Sequence, residues 1–204
     1  MIVLDIETSG LSPEKNGIWQ IGAIDLDNPD DKFIEEGRID CDDAAEAGAL
    51  LVIGKTEDEL RDIGKRSQKE LLALFFEWCR VIKAKTCLCQ NPQFDSVFIS
   101  MKARKYGMEN PLHFRAFDLH SLAQMKHFSV RGNFFMEGGF SKMSLKGVLE
   151  FCGMEDSREA HNAIEDCMLE AECFSRLVYG KGMFEEYSQF KIPDYLKNKQ
   201  GIND

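Results

Sequence analysis

The chain has 204 residues, 44% of them hydrophobic, and a formal net charge of −10 at pH 7. The length suffices for one compact domain, and the hydrophobic content excludes a wholly disordered chain. Proteins that hold long duplexes by neutralising phosphates are usually basic, so the acidic balance disfavours that class. A nucleic-acid partner would be a short single-stranded segment, with metal ions supplying much of the positive charge.

No apolar run approaches the roughly 18 residues that a membrane span needs, and the opening MIVLDIETSG meets a charge within five residues, unlike a signal peptide. We therefore expect a cytoplasmic protein without a membrane partner. The seven cysteines are odd in number and scattered in apolar context, which is typical of reduced core thiols. Cys87 and Cys89 have the wrong spacing for a structural zinc site.

The chain order of the elements predicts an α/β layer. Three short β-rich runs come first, which favours an antiparallel meander, and helices then alternate with two further strands. The strands are predicted at residues 1–7, 18–27, 33–40, 86–90 and 114–119. The helices are predicted as two within 58–85, with Ile63 on the apolar side, then 92–106, 120–128, 144–153 and 161–179.

Capping and stop residues in the sequence indicate where several helices begin and end. Asn91 is a good N-cap with Pro92 at the first helical position, and Phe94, Val97, Phe98 and Met101 should share one face of that helix. Ser144 is a plausible cap, and Gly153 is a typical helix stop.

Two segments have no clean period. Residues 128–143 hold three glycines and four phenylalanines and suggest a mobile loop. Phe134, Phe135 and Phe140 there could stack on bases, or cover the core or a dimer contact, which is the commoner use of aromatic clusters. Residues 180–204 are expected to be a tail, either a short helix or extended, after a domain at 1–179.

Four acids stand where a structural explanation and a chemical one compete. Asp5 and Glu7 project from one face of the first strand, although Glu7 could simply be its polar end. Asp95 lies in the first turn of its helix, where the macrodipole already favours an acid. Asp166 could be a solvated acid at the margin of the last helix, with His161 five residues earlier as a cap or surface residue at the helix entry.

The combination is more informative than any one acid. These elements can converge at one edge of a sheet, and four carboxylates around one pocket require cations. Oxygen ligands of this kind select Mg²⁺ or Mn²⁺.

The sequence resembles the DEDDh 3′–5′ exonucleases of the RNase H-like superfamily, the group that contains the polymerase III proofreading subunit and RNase T. DIETSGL, NPQFD and HNAIED match its three motifs in order, and IWQIGAI, GKTEDEL and SLKGVLEFCGM resemble its connecting segments. The resemblance implies an RNase H-like mixed five-stranded sheet, with antiparallel strands first and parallel β–α units after them, flanked by helices.

The resemblance also implies roles. Asp5, Glu7 and Asp166 would hold a first metal, with Asp5 bridging to a second ordered by Asp95, and His161 would be the general base. The cofactors would be two Mg²⁺ or Mn²⁺ ions per site, which stabilise the attacking and leaving oxygens of a phosphodiester.

Substrate contacts follow from the same resemblance: Thr8, Gly10 and Leu11 would lie under the terminal nucleotide, and Asn91 would contact the strand end. Gln20 stands where many relatives carry an acid. The expected activity is release of nucleoside 5′-monophosphates from single-stranded 3′ ends, with DNA or RNA left open. The alternative is a nuclease-like binding or scaffold module docked on another nucleic-acid enzyme. The sequence does not determine whether the chain forms a homodimer or associates with a polymerase.

Overall fold

The protein is described from a computed structural model, which covers residues 1–158 and 161–197. Five strands form one mixed sheet in the order β3-β2-β1-β4-β5, and a separate two-stranded sheet holds β6 and β7. Strand β1 pairs antiparallel with β2 and parallel with β4, and β2 pairs antiparallel with β3. The strands are β1 Ile2–Thr8, β2 Ile18–Asp25, β3 Lys32–Glu36, β4 Cys87–Cys89, β5 Phe117–Asp118, β6 Met136–Glu137 and β7 Phe140–Ser141. The predicted mixed five-stranded sheet is confirmed.

Seven α-helices and one 3-10 helix lie within the described residues. The α-helices are α1 Ala47–Ile53, α2 Glu57–Leu60, α3 Gln68–Val81, α4 Pro92–Lys105, α5 Leu119–Arg131, α6 Leu145–Phe151 and α7 Ala163–Tyr179. The predicted caps at Ser144 and the stop at Gly153 are confirmed, since Ser144 accepts from Gly147 N and Gly153 has a φ of 77°. No described helix has both the length and the apolar character needed to span a membrane.

The region 58–85 differs from its prediction in one respect. It does hold two helices, α2 and α3, but Ile63 lies between them and is 90% exposed, so its place on an apolar face was wrong. The reason is local chemistry, because Thr56 and Ser67 each form a capping box that starts a separate helix. Helix α1 was not predicted, and its AGALLVI sequence lacks a side-chain cap.

Helix α4 begins as predicted at Pro92, but its apolar face is narrower than expected. Phe98 is fully buried, whereas Val97 is exposed and therefore does not belong to that face. Asn91 occupies the N-cap position without a side-chain cap bond, because its backbone is left-handed at a φ of 73°. The helix start depends instead on Pro92, whose fixed φ suits the first helical position.

The chain divides into two compact units, Met1–Phe117 with Arg158–Cys167, and Asp118–Ser157 with Met168–Asp204. The core of the first unit packs strands β1, β2 and β4 against α3 and α4, with Leu4, Phe75 and Phe98 fully buried. The second unit holds α5, α6 and most of α7. None of the seven cysteines, all of which lie in the described part of the chain, forms a disulfide, and six are buried.

Within the second unit, residues 128–143 hold a helix end and a hairpin where their composition predicted a loop. Helix α5 continues to Arg131, and β6 and β7 then form a short antiparallel hairpin. A 3-10 helix at Glu185–Tyr187 is the short helix expected after residue 179, while residues 198–204 of the predicted tail lie outside the described part of the chain. The domain boundary at residue 179 stays a prediction.

Candidate active site

Strand β1 carries the first two acids. Asp5 and Glu7 alternate with buried Leu4 and Ile6, so both carboxylates face the same side of the sheet. Glu7 is 7% exposed, and burial raises the pKa of its carboxyl to about 7 although His161 opposes this shift. The chain therefore keeps an acid where water cannot solvate its charge, which indicates a site that receives a cation.

Helix α4 brings the third acid to the same strand. Asp95 is buried in the first turn of α4, and its Oδ1 accepts a hydrogen bond of 3.2 Å from the backbone N–H of Ile6, between Asp5 and Glu7. Burial raises the pKa of the Asp95 carboxyl to about 7, and the nearby Glu7 carboxylate acts in the same direction. Asp95 is thus fixed to β1 by its own side chain.

The entry to α7 supplies the histidine and the fourth acid. His161 lies two residues before the helix, and its Nδ1 is 3.2 Å from Oδ2 of the buried Asp166. The five-residue offset does not separate the two side chains, since His161 is outside the helical turn. The hydrogen bond to Asp166 raises the pKa of His161. Arg158 donates from Nη1 to Asp166 Oδ1 over 2.7 Å, so both oxygens of this acid are engaged.

Strand β2 fixes where α7 begins. The Gln20 side-chain oxygen accepts from the N–H of Ala163, the first residue of α7, over 2.9 Å. A Cβ on Gly22 would lie 2.4 Å from the carbonyl carbon of Ala163, so only glycine permits this approach of strand and helix. The same contact places Cys167 Sγ 3.2 Å from Gly22 O. Helix α7 therefore enters the site against the backbone of β2.

Ligand atoms of Glu7, His161 and Asp166 all lie within 4.8 Å of one another. The two carboxylates are suitable donors for a divalent cation, with the imidazole beside them, and the raised pKa of Glu7 reflects a buried acid without enough compensating charge. The residues present therefore fit a metal ion.

A cavity of about 510 Å³ opens beside these groups. Asp5, Glu7, Asp95 and His161 line it, and so do the predicted substrate contacts Thr8, Gly10, Leu11 and Asn91. Asp166 is not among the lining residues, and it meets the site through His161 and Arg158. Eight of the nine residues named from the sequence thus surround one cavity.

The turn after β1 is held rigidly beneath that cavity. Buried Asn16 accepts from Ser12 N over 2.8 Å and donates to Ala44 O over 2.9 Å. A Cβ on Gly10 would lie 2.4 Å from the Asn16 amide, so this position requires glycine. Leu11 is consequently presented to solvent, 78% exposed, at the rim of the cavity.

Sequence reasoning missed four contributors. Helix α1 lines the cavity through Gly48, Ala49 and Val52, and its short, uncapped sequence gave no helical signal. Arg158 lies in an irregular segment, and Asn16 has the sequence context of an ordinary turn residue. Gln20 was noted only because many relatives carry an acid at that position. A buried polar residue in an apolar strand, as in IWQIGAI, was the one available signal for Gln20.

The comparisons with known proteins agree on the fold. The RNase T family model, described as exonuclease, matches residues 2–174. No curated protein sequence matches the chain. The zinc-bound E. coli ExoI complex with single-stranded DNA has a TM-score of 0.67 at 21% identity, covering 87% of this chain and 39% of that one.

Two further structures are similar. E. coli exonuclease I with a dT13 oligonucleotide gives a TM-score of 0.66 at 19% identity, covering 86% of this chain and 40% of that one. The nuclease domain of 3′hExo, a DEDDh family member bound to rAMP, gives 0.62 at 16% identity and covers 95% of both chains. The chain spans about two fifths of the exonuclease I chains.

These likenesses confirm the RNase H-like fold, and the family model covers most of the sequence. Asp5, Glu7, Asp95, His161 and Asp166 all belong to the first unit. The chain therefore belongs to the RNase T exonuclease family.

Proposed function

We propose that this protein is a divalent-metal-dependent 3′–5′ exonuclease that removes nucleoside 5′-monophosphates from single-stranded DNA or RNA. The observation that carries the proposal is the cluster of Glu7, His161 and Asp166, whose ligand atoms lie within 4.8 Å of one another at one end of the cavity. Family membership supports a nuclease, while the polarity, substrate and mechanism are our inference.

The proposed metal ligands are Asp5, Glu7, Asp95 and Asp166, with Mg²⁺ or Mn²⁺ in two positions. When bound, such ions polarise the phosphodiester and lower the pKa of a coordinated water. Glu7 and Asp95 are buried where a cation would stabilise their ionised forms, and burial raises their pKa values to about 7. A buried carboxylate gains more from a cation than a solvated one does, because water no longer competes.

His161 is the proposed general base. With Nδ1 facing Asp166, the neutral ring directs its basic lone pair through Nε2, away from the carboxylate. His161 lines the cavity, so Nε2 can accept a proton from water that attacks a bound phosphodiester. Asp166 orients the ring and stabilises the imidazolium that results.

The cavity supports attack at a strand end. Its volume of about 510 Å³ is that of a small-ligand site and suits one terminal nucleotide. Leu11 and Phe94 offer apolar contact to a base, and Asn91 offers an amide to the sugar end. An exonuclease needs this arrangement because the terminal residue must be held next to the reacting phosphate.

The direct test uses a matched pair of neighbouring acids. Asp166→Asn should reduce hydrolysis of a 5′-labelled single-stranded oligonucleotide in Mg²⁺ by about 10²-fold or more, because it removes a buried anion from the proposed metal site. Glu165→Gln is the control, since Glu165 is the adjacent, exposed acid of the same turn. His161→Gln should cost about 10²- to 10⁴-fold, as loss of a general base does.

Polarity follows from the products of the same reaction. A 5′ label should yield a ladder of shortening fragments, and a 3′ label should appear at once as a mononucleotide. Wild-type protein that leaves both substrates intact in Mg²⁺ and in Mn²⁺ would refute the proposal. Matched DNA and RNA oligonucleotides, single-stranded and duplex, would then define the substrate.

A further inference from the structure

The second unit displays a group of aromatic side chains that the proposed active site does not use. We refer to residues 134–141 as the aromatic hairpin. Phe140 is 78% exposed, Phe134 is 47% exposed, and Phe135 and Met136 are also exposed. Phe134 contacts Phe128 and Phe135 stacks on His127, with ring centroids 4.9 and 5.6 Å apart, yet each keeps a face in solvent. Contiguous exposed apolar groups of this kind mark interaction surfaces.

The hairpin is anchored from behind by polar contacts. The buried Gln124 of α5 accepts from Phe135 N over 2.9 Å and donates to Phe135 O over 3.0 Å. Its amide also donates to Ser141 Oγ over 2.7 Å, and His120 Nε2 lies 2.7 Å from the same oxygen. These bonds hold the backbone of Phe135, next to β6, and the side chain of Ser141 in β7, so the hairpin is anchored to α5 at both of its ends.

The rings belong to a positively charged segment of an acidic chain. Between Asp118 and Glu150, residues 119–149 contain four basic side chains and one acid, a formal charge of +3 in a chain of −10. Glu137 pairs with Lys142 over 2.5 Å, so Lys126, Arg131 and Lys146 are the basic side chains left over from that pair. Surfaces that combine basic side chains with exposed aromatic rings suit single-stranded nucleic acid, because phosphates meet the charge and bases stack on the rings.

We propose that the aromatic hairpin is a second binding surface for single-stranded nucleic acid, on which Phe134 and Phe140 stack with bases. A second copy of the chain is the competing occupant. A symmetric contact through this surface would place two positive segments against each other, which opposes it. The choice of nucleic acid rests on the proposed function, since a nuclease meets such strands.

The test compares binding with single-nucleotide hydrolysis in the full chain. In EDTA, Phe134→Ser/Phe140→Ser should weaken binding of a labelled dT oligonucleotide, read by fluorescence anisotropy, roughly 5-fold or more. Ile63→Ser is the matched control, because Ile63 is 90% exposed in the first unit. Hydrolysis of a nitrophenyl ester of thymidine 5′-monophosphate in Mg²⁺ should be unchanged in both variants.

Two additional measurements separate stacking from other causes. Phe134→Leu/Phe140→Leu keeps apolar surface without aromatic rings, and it should weaken binding nearly as much as the serine pair. An abasic oligonucleotide of equal length should bind wild type and the serine variant alike, because it has charge but no bases. Thermal melting of each variant establishes that it is folded.

Equal affinity of wild type and the serine variant for the dT oligonucleotide would overturn the inference. So would sedimentation in which wild type is a dimer and the serine variant a monomer, since the surface would then join two copies. A wild-type protein that binds through these rings but hydrolyses neither oligonucleotide nor ester would refute the proposed function alone.

Discussion

At the scale of single residues, the site is dominated by carboxylates that the fold keeps away from water. Burial raises the pKa of both Glu7 and Asp95 to about 7. The guanidinium of Arg158 contacts the same group of acids through its hydrogen bond to Asp166. Arg158 also lowers the pKa of Glu7 through its charge. A guanidinium on Asp166 Oδ1 therefore occupies an oxygen that a metal ion would need.

Replacing Arg158 should accordingly lower the stability of the metal-free protein and increase the stabilisation that metal binding provides. Arg158→Gln should lower the stability of the metal-free chain by about 2 kcal/mol, because it leaves the buried Asp166 carboxylate with one fewer cation. The melting temperature should then rise more on adding Mg²⁺ or Mn²⁺ than it does for wild type, since the competing group is gone.

Thermal melting in EDTA and in Mg²⁺ measures both effects. Arg104→Gln, at an exposed position in the last turn of α4, is the control and should change neither value appreciably. A loss in Arg158→Gln that is the same with and without metal would show that Arg158 is a purely structural ion-pair partner.

At the scale of elements, the residues of the site could be predicted from the sequence, whereas the residues that position them could not. Asp5, Glu7, Asp95, His161 and Asp166 could be named from their combination and from the motifs DIETSGL, NPQFD and HNAIED, since each acid alone has a structural explanation. The positions of the five strands and the antiparallel start of the sheet could also be predicted from β-rich runs and turn residues, whereas the mixed sheet followed from the family resemblance.

The supports depend on contacts between residues far apart in sequence. Gln20 bonds to Ala163 across 143 residues, and no local pattern encodes that pairing. Ile63 was placed on a helical face because its spacing from neighbouring apolar residues is helical. It lies instead in the turn between α2 and α3, where the two capping boxes start separate helices. Helix α1 was missed because its seven residues span too few turns for a helical period to be recognised.

The contact between β2 and α7 gives a prediction at this scale. Gly22→Ala should push the start of α7 away from the sheet, because its Cβ would meet backbone atoms of Ala163 at 2.4 Å and the helix cannot yield locally. We expect a loss of about 2–3 kcal/mol from overpacking. Hydrolysis should fall by up to about 10²-fold, since His161 and Asp166 move with the helix.

Gly64→Ala provides the comparison. A Cβ there would lie 3.2 Å from the side chain of the exposed Asp62, which can move aside. This variant should retain both its melting temperature and its activity in Mg²⁺. Wild-type activity and stability in Gly22→Ala would show that the entry of α7 is not fixed by this contact.

At the scale of the whole molecule, charge is distributed unevenly. The chain carries −10 overall, its first unit buries acids at the site, and residues 119–149 of its second unit carry +3. A molecule of this kind should not hold long duplexes tightly. Its stability should also depend on pH in a way set by the buried acids rather than by the surface.

The buried acids predict that the metal-free protein loses stability as pH rises. Glu7 and Asp95 have pKa values of about 7 in the fold against ordinary values of 4.5 and 3.8, so between about pH 4 and 7 the unfolded chain ionises first. Fewer protons are then bound to the unfolded state, and the free energy of unfolding falls with pH. At 1.36 kcal/mol per pKa unit, Glu7 contributes up to about 3 kcal/mol and Asp95 up to about 4 kcal/mol. The raised pKa of His161 adds a change of the same sign above its ordinary value of 6.5.

Melting temperatures in EDTA should therefore decline from pH 5 to pH 8, and saturating Mg²⁺ or Mn²⁺ should reduce the decline because metal binding favours the deprotonated carboxylates. Glu7→Gln and Asp95→Asn should each flatten the profile in EDTA, since an amide keeps the shape of the acid without its ionisation. Glu165→Gln, which alters only an exposed acid, should leave the profile as in wild type. A melting temperature that rises from pH 5 to pH 7 in EDTA would mean that Glu7 and Asp95 are already ionised in the metal-free fold, and that Arg158 and His161 alone supply the positive charge that keeps them so.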